Sequence, residues 1–357
     1  MKEVCIIGGG LGPHYNEAMA NQIKVISKRF NAPVLTCNDI GWKPFLSDGR
    51  YIIINSRFLM RRTPVLSIIN GAFLFLAIKL YQRRFKTILL SGGIEGEFIG
   101  YLPLEKCIPL IASIDPCNSK LLEKITKYGP RVKKIIAQSK KVRHLLQADG
   151  IKEEKIEMLY PVIDYDLFPY SEPSPMEEFR ILFASSPNLE APGEDNFTDK
   201  GVPLLLEAFK EFSKIHKSRL ILVWRGKYRK QLDSKLNELG LKNVEVIDGN
   251  VDMPKIYSGV HVTMIPFINL KRSPDIPSTA IESLASGRPV IATKVAEISE
   301  IITNNNCGVA ADVTLESLLE SLNKCKQEYD TYRQNCRPTF CNLFVYDEKN
   351  LMRLLNE

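Results

Sequence analysis

Glu282 is the residue of this sequence whose type and position most clearly suggest chemistry. It stands in the stretch IPSTAIESLASGRPVIAT (276–293), in an apolar run where a helix packed on a core would carry no charge. Ser278 and Thr279 are good N-cap residues, which predicts that a helix begins there and that Glu282 lies about one turn inside it. Amides at such a terminus can cradle a phosphate group, and a carboxylate can accept both hydroxyl groups of a ribose. A glutamate stabilised by the helix dipole, worth about 0.3–1 kcal/mol, is the alternative.

The first strand-like run leads into a glycine-rich segment, GGGLGPH (8–14). Glycines here let the backbone approach a phosphate group at the start of the following helix. The dinucleotide fingerprint GxGxxG is not met, because its third glycine would fall on Pro13 or Tyr15. Asp39 follows the second strand, where a ribose-binding acid would stand. A nicotinamide or flavin enzyme, and a glycine turn without a ligand, therefore stay as alternatives.

A lysine in the second half is a further candidate. Lys200 and Gly201 open the helical segment TDKGVPLLLEAF (198–209). A lysine at a helix N-terminus could reach a diphosphate that the helix dipole already holds. Ordinary surface charge is the alternative interpretation.

Length and composition limit the possible classes of protein. The chain has 357 residues, which predicts two domains, and its 45% apolar and 25% charged content is typical of a soluble globular protein. The eight cysteines contain no CxxC pair, so we expect reduced thiols and no metal site. The longest apolar run, residues 64–78, is shorter than the ~20 residues of a spanning helix, and the N-terminus does not resemble a signal peptide. We expect a cytoplasmic protein, at most peripherally bound to a membrane.

The net charge of +7 is unevenly distributed. Residues 1–175 contain 25 Lys and Arg and 16 Asp and Glu, a net charge of +9, and the rest of the chain carries −2. The basic excess indicates either a solvated surface or a first half that faces an anionic partner, such as a membrane surface or a phosphorylated acceptor. Nucleic acid is disfavoured, because the basic residues are spread over many helices without interleaved aromatic residues.

Short apolar runs alternate with helical patterns in both halves, which predicts parallel sheets covered by helices on both faces. A proline-rich acidic segment, residues 165–179, separates the two series and predicts a hinge near 168–178. We therefore expect two tandem Rossmann-like, doubly wound α/β domains with the ligand site in the cleft between them. The first would cover 1–168 and the second 176–335, with a C-terminal helix at 340–357 packing back on the first. The strand-like runs are 4–8, 33–37, 50–55, 86–91, 108–114 and 134–139 in the first half, and 180–186, 219–224, 244–248, 261–266 and 289–293 in the second.

The sequence resembles the retaining glycosyltransferases of family 4, which have the two-Rossmann-domain glycosyltransferase B fold. The resemblance covers most of the chain and is strongest over residues 131–312. The matching segments follow one another in the family's order and at its spacing. They are KKIIAQSKKVRHLLQADGIKEEKIEMLYPVIDYDLF, ILFASS, DKGVPLLLEAFKEF, LILVWRG, VEVIDGNVDMPKIYSGVHVTMIP, IPSTAIESLASGRPVIATKVAEISEII and NNNCGVA.

The resemblance implies an enzyme that moves a sugar from a nucleotide-diphosphate sugar to an acceptor, with retention at the anomeric carbon and without a metal or another cofactor. Glu282 matches the acid that binds the donor's ribose. Lys200 matches the lysine that neutralises the departing diphosphate. The other implied donor-binding positions are Ser278, Thr279 and Ala280 at the diphosphate, Gly249, Asn250 and Val251 beside the base, Ser186 after the first strand of the donor domain, and Gly10 and Gly12 in the N-terminal glycine loop.

Two departures from the family pattern bear on activity. Ser186 stands where the family usually has an arginine, and Pro274 stands where it has a glutamate near the transferred sugar. Arg225 or Arg272 could supply the missing positive charge, and Asp275 the missing carboxylate. If neither substitution works, the alternative is a non-catalytic or weakly active nucleotide-sugar-binding protein of the same fold.

The first half is expected to bind the acceptor, a saccharide or a lipid-linked molecule. Asp115 stands where many relatives carry a histidine that contacts the sugar, and His14, in the glycine loop, is the other candidate near the acceptor. Residues 57–86 form an apolar segment with basic ends. This segment is either a buried helix or part of a surface that binds anionic lipid.

Overall fold

The computed structural model describes the chain in segments that form two compact units. The first unit comprises Met1–Asp164 and Tyr346–Glu357, and the second comprises Tyr165–Val345. The described residues are 2–9, 18–38, 45–48, 51–55, 85–94, 99–115, 118–173, 175–184, 196–224, 228–249, 251–271, 273–345, 351 and 353–355.

An eight-stranded sheet forms the centre of the first unit. Its strands are β1 (Lys2–Gly9), β2 (Val34–Asn38), β3 (Phe45–Asp48), β4 (Tyr51–Asn55), β5 (Phe85–Ser91), β6 (Cys107–Ile111), β7 (Ile135–Ala137) and β8 (Ile156–Met158). The described helices of this unit are α1 (Ala18–Phe30), α2 (Ser119–Tyr128) and α3 (Lys140–Ala148). The strand order is β3-β4-β2-β1-β5-β6-β7-β8. The β3–β4 pair is antiparallel, and the other described pairs are parallel.

A six-stranded parallel sheet forms the centre of the second unit. Its strands are β9 (Phe179–Phe183), β10 (Ser218–Trp224), β11 (Val244–Asp248), β12 (Val262–Ile265), β13 (Val290–Thr293) and β14 (Gly308–Ala311). The described helices are α4 (Asn196–Asp199), α5 (Val202–Ile215), α6 (Arg229–Leu239), α7 (Met253–Ser258), α8 (Ser278–Ala285), α9 (Ile298–Asn304), α10 (Leu315–Gln327) and α11 (Tyr329–Leu343). The strand order is β11-β10-β9-β12-β13-β14.

The central strands of the second sheet are buried. Every residue of β12 and β13 is buried, as expected for parallel strands covered on both faces. Helix α5 packs its apolar face, including Leu205 and Phe209, into the same core as Trp224 of β10. The α/β fold class of two Rossmann-like units that the sequence predicted is confirmed. No helix among the described residues is long and apolar enough to cross a membrane.

The order of the second sheet reverses between β9 and β12. From β9 the chain builds β10 and β11 on one side, and it then returns to build β12, β13 and β14 on the other. Because β9 and β12 are parallel neighbours, their carboxyl ends lie at the same edge of the sheet. Ligands of doubly wound sheets bind at such a reversal. The residues that follow β9 and β12 are therefore the first place to look for a site.

The end of the chain returns to the first unit. Leu351 and Leu355 are buried in the core of that unit. The carbonyl oxygen of Leu355 accepts hydrogen bonds from Oγ1 of Thr87 at 2.7 Å and from Nζ of Lys133 at 3.4 Å. Apolar burial and two side-chain donors thus hold the returning segment on β5.

The limits of the units differ from the expected ones by a few residues. The division between Asp164 and Tyr165 comes before residues 168–178, where the sequence placed the hinge. The sequence also predicted one helix over 340–357. In the structure α11 ends at Leu343 within the second unit, and the segment assigned to the first unit starts at Tyr346.

Candidate functional site

Two loops meet where the second sheet reverses its order. After β9 the chain reaches the junction of α4 and α5, and after β12 it continues through residues 266–271. The amide of Ile268 donates to the carbonyl oxygen of Asp199 at 2.9 Å. Nδ2 of Asn269 donates to Oδ1 of Asp199 at 2.5 Å. Backbone and side-chain hydrogen bonds therefore hold the two loops together.

Gly201 allows the same two loops to touch. Its φ of 70° lies in the left-handed region, and a Cβ at this position would be 1.7 Å from the carbonyl oxygen of Pro266. A side chain cannot fit there, so the close approach requires glycine. The preceding Lys200 is half-buried, and its ammonium group lies 5.9 Å from the centre of the Phe267 ring, within cation–π range. The structure thus places Lys200 at the carboxyl ends of β9 and β12.

Helix α8 begins at Ser278, and Pro277 occupies its N-cap position. The sequence predicted Ser278 or Thr279 as the cap. The cap differs because Pro277 is extended, with φ −68° and ψ 139°, and its carbonyl oxygen accepts from the amide of Ala280 at 3.0 Å. Proline has no side-chain acceptor, so no cap occupies the amides of Ser278 and Thr279, both of which are half-buried. The helix start therefore offers an anion two amides and a positive dipole end.

Glu282 lies one turn further along α8, and its carboxylate contacts the side chain of Tyr257. Oη of Tyr257, on α7, is 3.1 Å from Oε2 of Glu282 and 2.9 Å from the carbonyl oxygen of Thr279. Burial raises the pKa of Glu282 to about 7, although the Tyr257 hydrogen bond lowers it in part. Tyr257 is the one described residue with a hydrogen bond to this carboxylate. Within the described part of the chain, no residue donates to the second carboxylate oxygen.

The position of Tyr257 is fixed on both sides. Nε of Arg288 donates to the Tyr257 carbonyl oxygen at 2.9 Å, and the Phe168 ring packs edge-on against the tyrosine ring at 5.9 Å. Arg288 is fully buried, and it also donates to the carbonyl and hydroxyl oxygens of Ser171 at 2.9 and 2.8 Å. A buried guanidinium with good hydrogen bonds is costly to disturb. A series of hydrogen bonds therefore links Glu282 through Tyr257 and Arg288 to Ser171, near the start of the second unit.

The loop expected beside the base is partly described. Gly249 follows β11 with φ 93°, and Val251 precedes Asp252, which caps α7 by accepting from the amide of Lys255. Because α7 also carries Tyr257, this loop and Glu282 are joined through one short helix. Asn250 lies outside the described residues.

Asp275 lies just before α8 and is 3% exposed. Its carbonyl oxygen accepts from the amide of Ile298 at 3.2 Å, which connects this loop to the start of α9. The resemblance made Asp275 a substitute for the family's sugar-binding glutamate. In the structure Asp275 is buried.

The remaining predicted site residues lie in the first unit or outside the described part of the chain. Asp115 is half-buried in the loop after β6, where its carbonyl oxygen accepts from the amide of Asn118, the N-cap of α2. Gly10, Gly12, His14, Ser186, Arg225 and Arg272, and most of the segment 57–86, lie outside the described residues.

Tyr257 and Arg288 were missed by the sequence analysis. Tyr257 stands in an ordinary amphipathic helix, 25 residues before its carboxylate partner. Arg288 stands in a glycine-proline turn, and its partner Ser171 is 117 residues away. The only local signal was an arginine in the otherwise apolar run that enters β13.

Comparison with solved structures identifies the fold. The chain has the glycosyltransferase B fold, in which two Rossmann-like units follow one another. HepE of Anabaena, solved in complex with UDP and glucose, matches with a TM-score of 0.73 at 17% identity, over 100% of this chain and 97% of that one. Sucrose-phosphate synthase of Thermosynechococcus elongatus matches with a TM-score of 0.71 at 15% identity, over 99% of each chain. Similarity at these identities shows the fold.

Sequence comparisons match part of the second unit to known glycosyltransferases. Residues 191–326 match the family model of the glycosyl transferases group 1. An uncharacterized glycosyltransferase of Methanocaldococcus jannaschii is 26% identical over 113 residues, which cover 31% of this chain and 28% of that relative. The match thus spans less than a third of the relative's length. Residues 191–326 are thus similar to the group 1 glycosyl transferases, and this match supports the resemblance to a glycosyltransferase found in the sequence.

Proposed function

We propose that this protein is a retaining glycosyltransferase that takes a sugar from a nucleoside diphosphate sugar. The observation that carries the proposal is the set of groups at the carboxyl ends of β9 and β12. Lys200 supplies a cation, the start of α8 supplies amides, and Glu282 supplies a carboxylate. A nucleotide sugar carries two negatively charged phosphates and a ribose with two hydroxyl groups. The cation and the amides can bind the phosphates, and the carboxylate can accept from the ribose hydroxyl groups.

In this proposal the ribose hydroxyl groups donate to Glu282. The diphosphate lies against the amides of Ser278 and Thr279, with Lys200 beside it. The base lies near the loop formed by Gly249, Asn250 and Val251. Uridine is the base we propose, since HepE was solved in complexes with UDP and with UDP-glucose.

The chemical difficulty is the departure of a nucleoside diphosphate. Negative charge grows on the diphosphate while the anomeric carbon becomes positive, so fixed positive groups lower the barrier. Lys200 and the start of α8 supply this stabilisation without a metal ion, and Arg225 is proposed as the second cation. Asp275 is proposed as the carboxylate near the sugar. Gly10 and Gly12 are proposed as further donor-binding residues.

The acceptor is proposed to bind the first unit, near Asp115 and His14. A saccharide or a lipid-linked molecule is the acceptor we propose, and the net charge of +9 over residues 1–175 favours one that carries anionic groups. Such a basic half attracts an anionic membrane surface, so we also propose a cytoplasmic protein with peripheral membrane association.

A second candidate is a nucleotide-sugar-binding protein with little or no transfer activity. Two observations favour it: Ser186 replaces the arginine expected from the resemblance, and the side chain of Asp275 is buried. Hydrolysis of the donor without an acceptor separates the candidates, because an enzyme with an intact leaving-group site slowly transfers the sugar to water.

The test is donor turnover by variants of the two central residues. UDP-glucose hydrolysis is measured for the wild type, Lys200→Ala and Glu282→Gln, with Lys217→Ala and Glu320→Ala as controls. Both controls remove an exposed charge of the same sign from the same unit. Loss of one transition-state contact costs about 2.7–4 kcal/mol, so we expect Lys200→Ala to lower turnover by 10²–10³-fold. Wild-type turnover in both site variants would refute the assignment.

A further inference from the structure

Residues 168–172, here called the entry segment, lie near the start of the second unit and form no helix or strand. Their main chain is held by a buried guanidinium group instead. Arg288 donates to the carbonyl oxygens of Ser171 at 2.9 Å and Glu172 at 3.2 Å, and its Nη2 also donates to Oγ of Ser171 at 2.8 Å. Because these carbonyl groups find their donors on Arg288, the entry segment has a fixed place on the second unit.

Side chains attach the entry segment at further points. The Tyr170 ring packs on Gly287, where a Cβ would lie 2.6 Å from the ring, so only glycine fits there. Nη1 of Arg333 donates to Oη of Tyr170, and Nη1 of Arg337 donates to the carbonyl oxygen of Phe168 at 2.9 Å. The entry segment is therefore bound both to α11 and to the turn between α8 and β13.

The entry segment also contacts α7, the helix that carries Tyr257. The Phe168 ring packs edge-on against the Tyr257 ring, with 5.9 Å between the ring centres, and Nε of Arg288 donates to the Tyr257 carbonyl oxygen at 2.9 Å. A helix of only six residues is not stable by its own hydrogen bonds, so tertiary contacts decide where α7 lies. Arg288 thus bonds α7 through Nε and the entry segment through both Nη atoms.

Displacement of the entry segment would therefore disturb Tyr257. It would remove the Phe168 ring from one side of the tyrosine and would leave both Nη atoms of Arg288 without their main acceptors. Buried charged donors without acceptors are costly, so Arg288 would turn toward other oxygens and release the Tyr257 carbonyl group. Since Oη of Tyr257 lies 3.1 Å from Oε2 of Glu282, the carboxylate would lose its hydrogen-bonding partner.

We propose that the entry segment is part of the donor site, and that Phe168 and Arg288 are positioning residues that act through Tyr257 to hold the Glu282 carboxylate for the ribose. Hydrogen bonds weaken steeply when donor and acceptor are misaligned, so two ribose hydroxyl groups need a carboxylate of fixed orientation. The amides at the start of α8 belong to the helix itself, and their contact with the diphosphate should depend much less on the entry segment. The inference rests on the proposed role of Glu282 as the ribose ligand.

The experiment is calorimetric titration of the wild type and Phe168→Ala with UDP and with 2′,3′-dideoxy-UDP. The wild type should prefer UDP by about 10–150-fold, because hydrogen bonds to a charged group contribute that much. In Phe168→Ala the preference should fall to about 3–12-fold, which corresponds to losing half of this free energy. The loss should appear in UDP binding alone, while the affinity for the analogue stays at the wild-type value.

Leu322→Ala is the matched control for lost stability. Leu322 of α10 is fully buried in the core that also contains Leu205 and Trp224, so the variant removes a buried apolar side chain elsewhere in the second unit. Circular dichroism checks that each variant is folded at the temperature of the titration. A general loss of stability affects both nucleotides alike, so Leu322→Ala should keep the wild-type preference.

Hydrogen exchange in the wild type tests the same coupling without a substitution. If the entry segment strengthens ribose binding, ribose binding must stabilise the entry segment by the same free energy. The amides of Tyr170, Ser171 and Glu172 should therefore exchange more slowly with saturating UDP than with the saturating analogue. Equal protection by the two nucleotides would overturn the inference.

The outcomes also separate this inference from the proposed function. An unchanged preference for UDP in folded Phe168→Ala would overturn the positioning role and leave the proposed ribose ligand intact. An equal loss of preference in Leu322→Ala would overturn it too, because the effect would then follow stability and not position. Absence of any preference in the wild type would overturn the proposed role of Glu282 and this inference with it.

Discussion

Gly201→Ala tests the close approach of the two loops that form the candidate site. The added Cβ would lie 1.7 Å from the carbonyl oxygen of Pro266 and 2.8 Å from its carbon, so backbone has to move. A left-handed conformation costs an alanine about 1–2 kcal/mol. Separating the loops also breaks two hydrogen bonds to Asp199, worth about 1 kcal/mol each. The expected loss in the free energy of unfolding is therefore about 3–4 kcal/mol.

Gly240→Ala is the matched control. Gly240 has nearly the same φ, 67°, but a Cβ there would meet no atom within 4 Å. This variant should lose only the conformational cost of about 1–2 kcal/mol. The difference between the two variants in the free energy of unfolding therefore measures the cost of the contact with Pro266.

Urea unfolding followed by tryptophan fluorescence measures both variants. The chain has two tryptophans, and a Trp42→Phe background leaves Trp224 as the only one. Trp224 is fully buried in the second unit and packs against Phe197 of α4, so it reports on the region around the site. Equal losses in Gly201→Ala and Gly240→Ala would refute the close approach.

Four further predictions concern the tail, the buried arginine, the metal and the membrane. Leu355→Ala should cost about 2–5 kcal/mol of stability because its side chain is 1% exposed, whereas Leu167→Ala, at a site 59% exposed, should change thermal unfolding little. Arg288→Lys should destabilise the second unit in urea by about 1–3 kcal/mol, since lysine cannot reproduce the hydrogen bonds of the guanidinium. A metal chelator should leave UDP-glucose turnover unchanged, and lost activity restored by a divalent ion would contradict the metal-free proposal. Binding to anionic vesicles, measured by co-sedimentation, should weaken as the salt concentration rises, whereas absence of binding at low salt would contradict the membrane proposal.

Much of the fold could be predicted from the sequence. Long continuous apolar runs such as 219–224 and 86–91 became β10 and β5, because a buried parallel strand tolerates few polar residues. The strands β3, β8 and β14 were missed. They have four, three and four residues, and such short runs carry little periodicity.

The candidate site could be predicted only in part. Lys200 and Glu282 stand at helix starts, and that local setting can be read from neighbouring residues. The supporting contacts cannot be read from neighbouring residues, because Tyr257 contacts Glu282, and Arg288 contacts Ser171, only in the folded unit. The N-cap of α8 was placed one residue late, because Pro277 takes the cap position without any side-chain hydrogen bond.

The central claim is that Glu282 binds the ribose hydroxyl groups of a donor nucleotide. Calorimetry at one pH can test it with UDP and its 2′,3′-dideoxy analogue, on the wild type and on Glu282→Ala. Hydrogen bonds to a charged group contribute about 1.5–3 kcal/mol, so the wild type should bind UDP more tightly than the analogue by about 10–150-fold. Glu282→Ala should bind the two nucleotides equally. The same preference for UDP in both proteins would contradict the account.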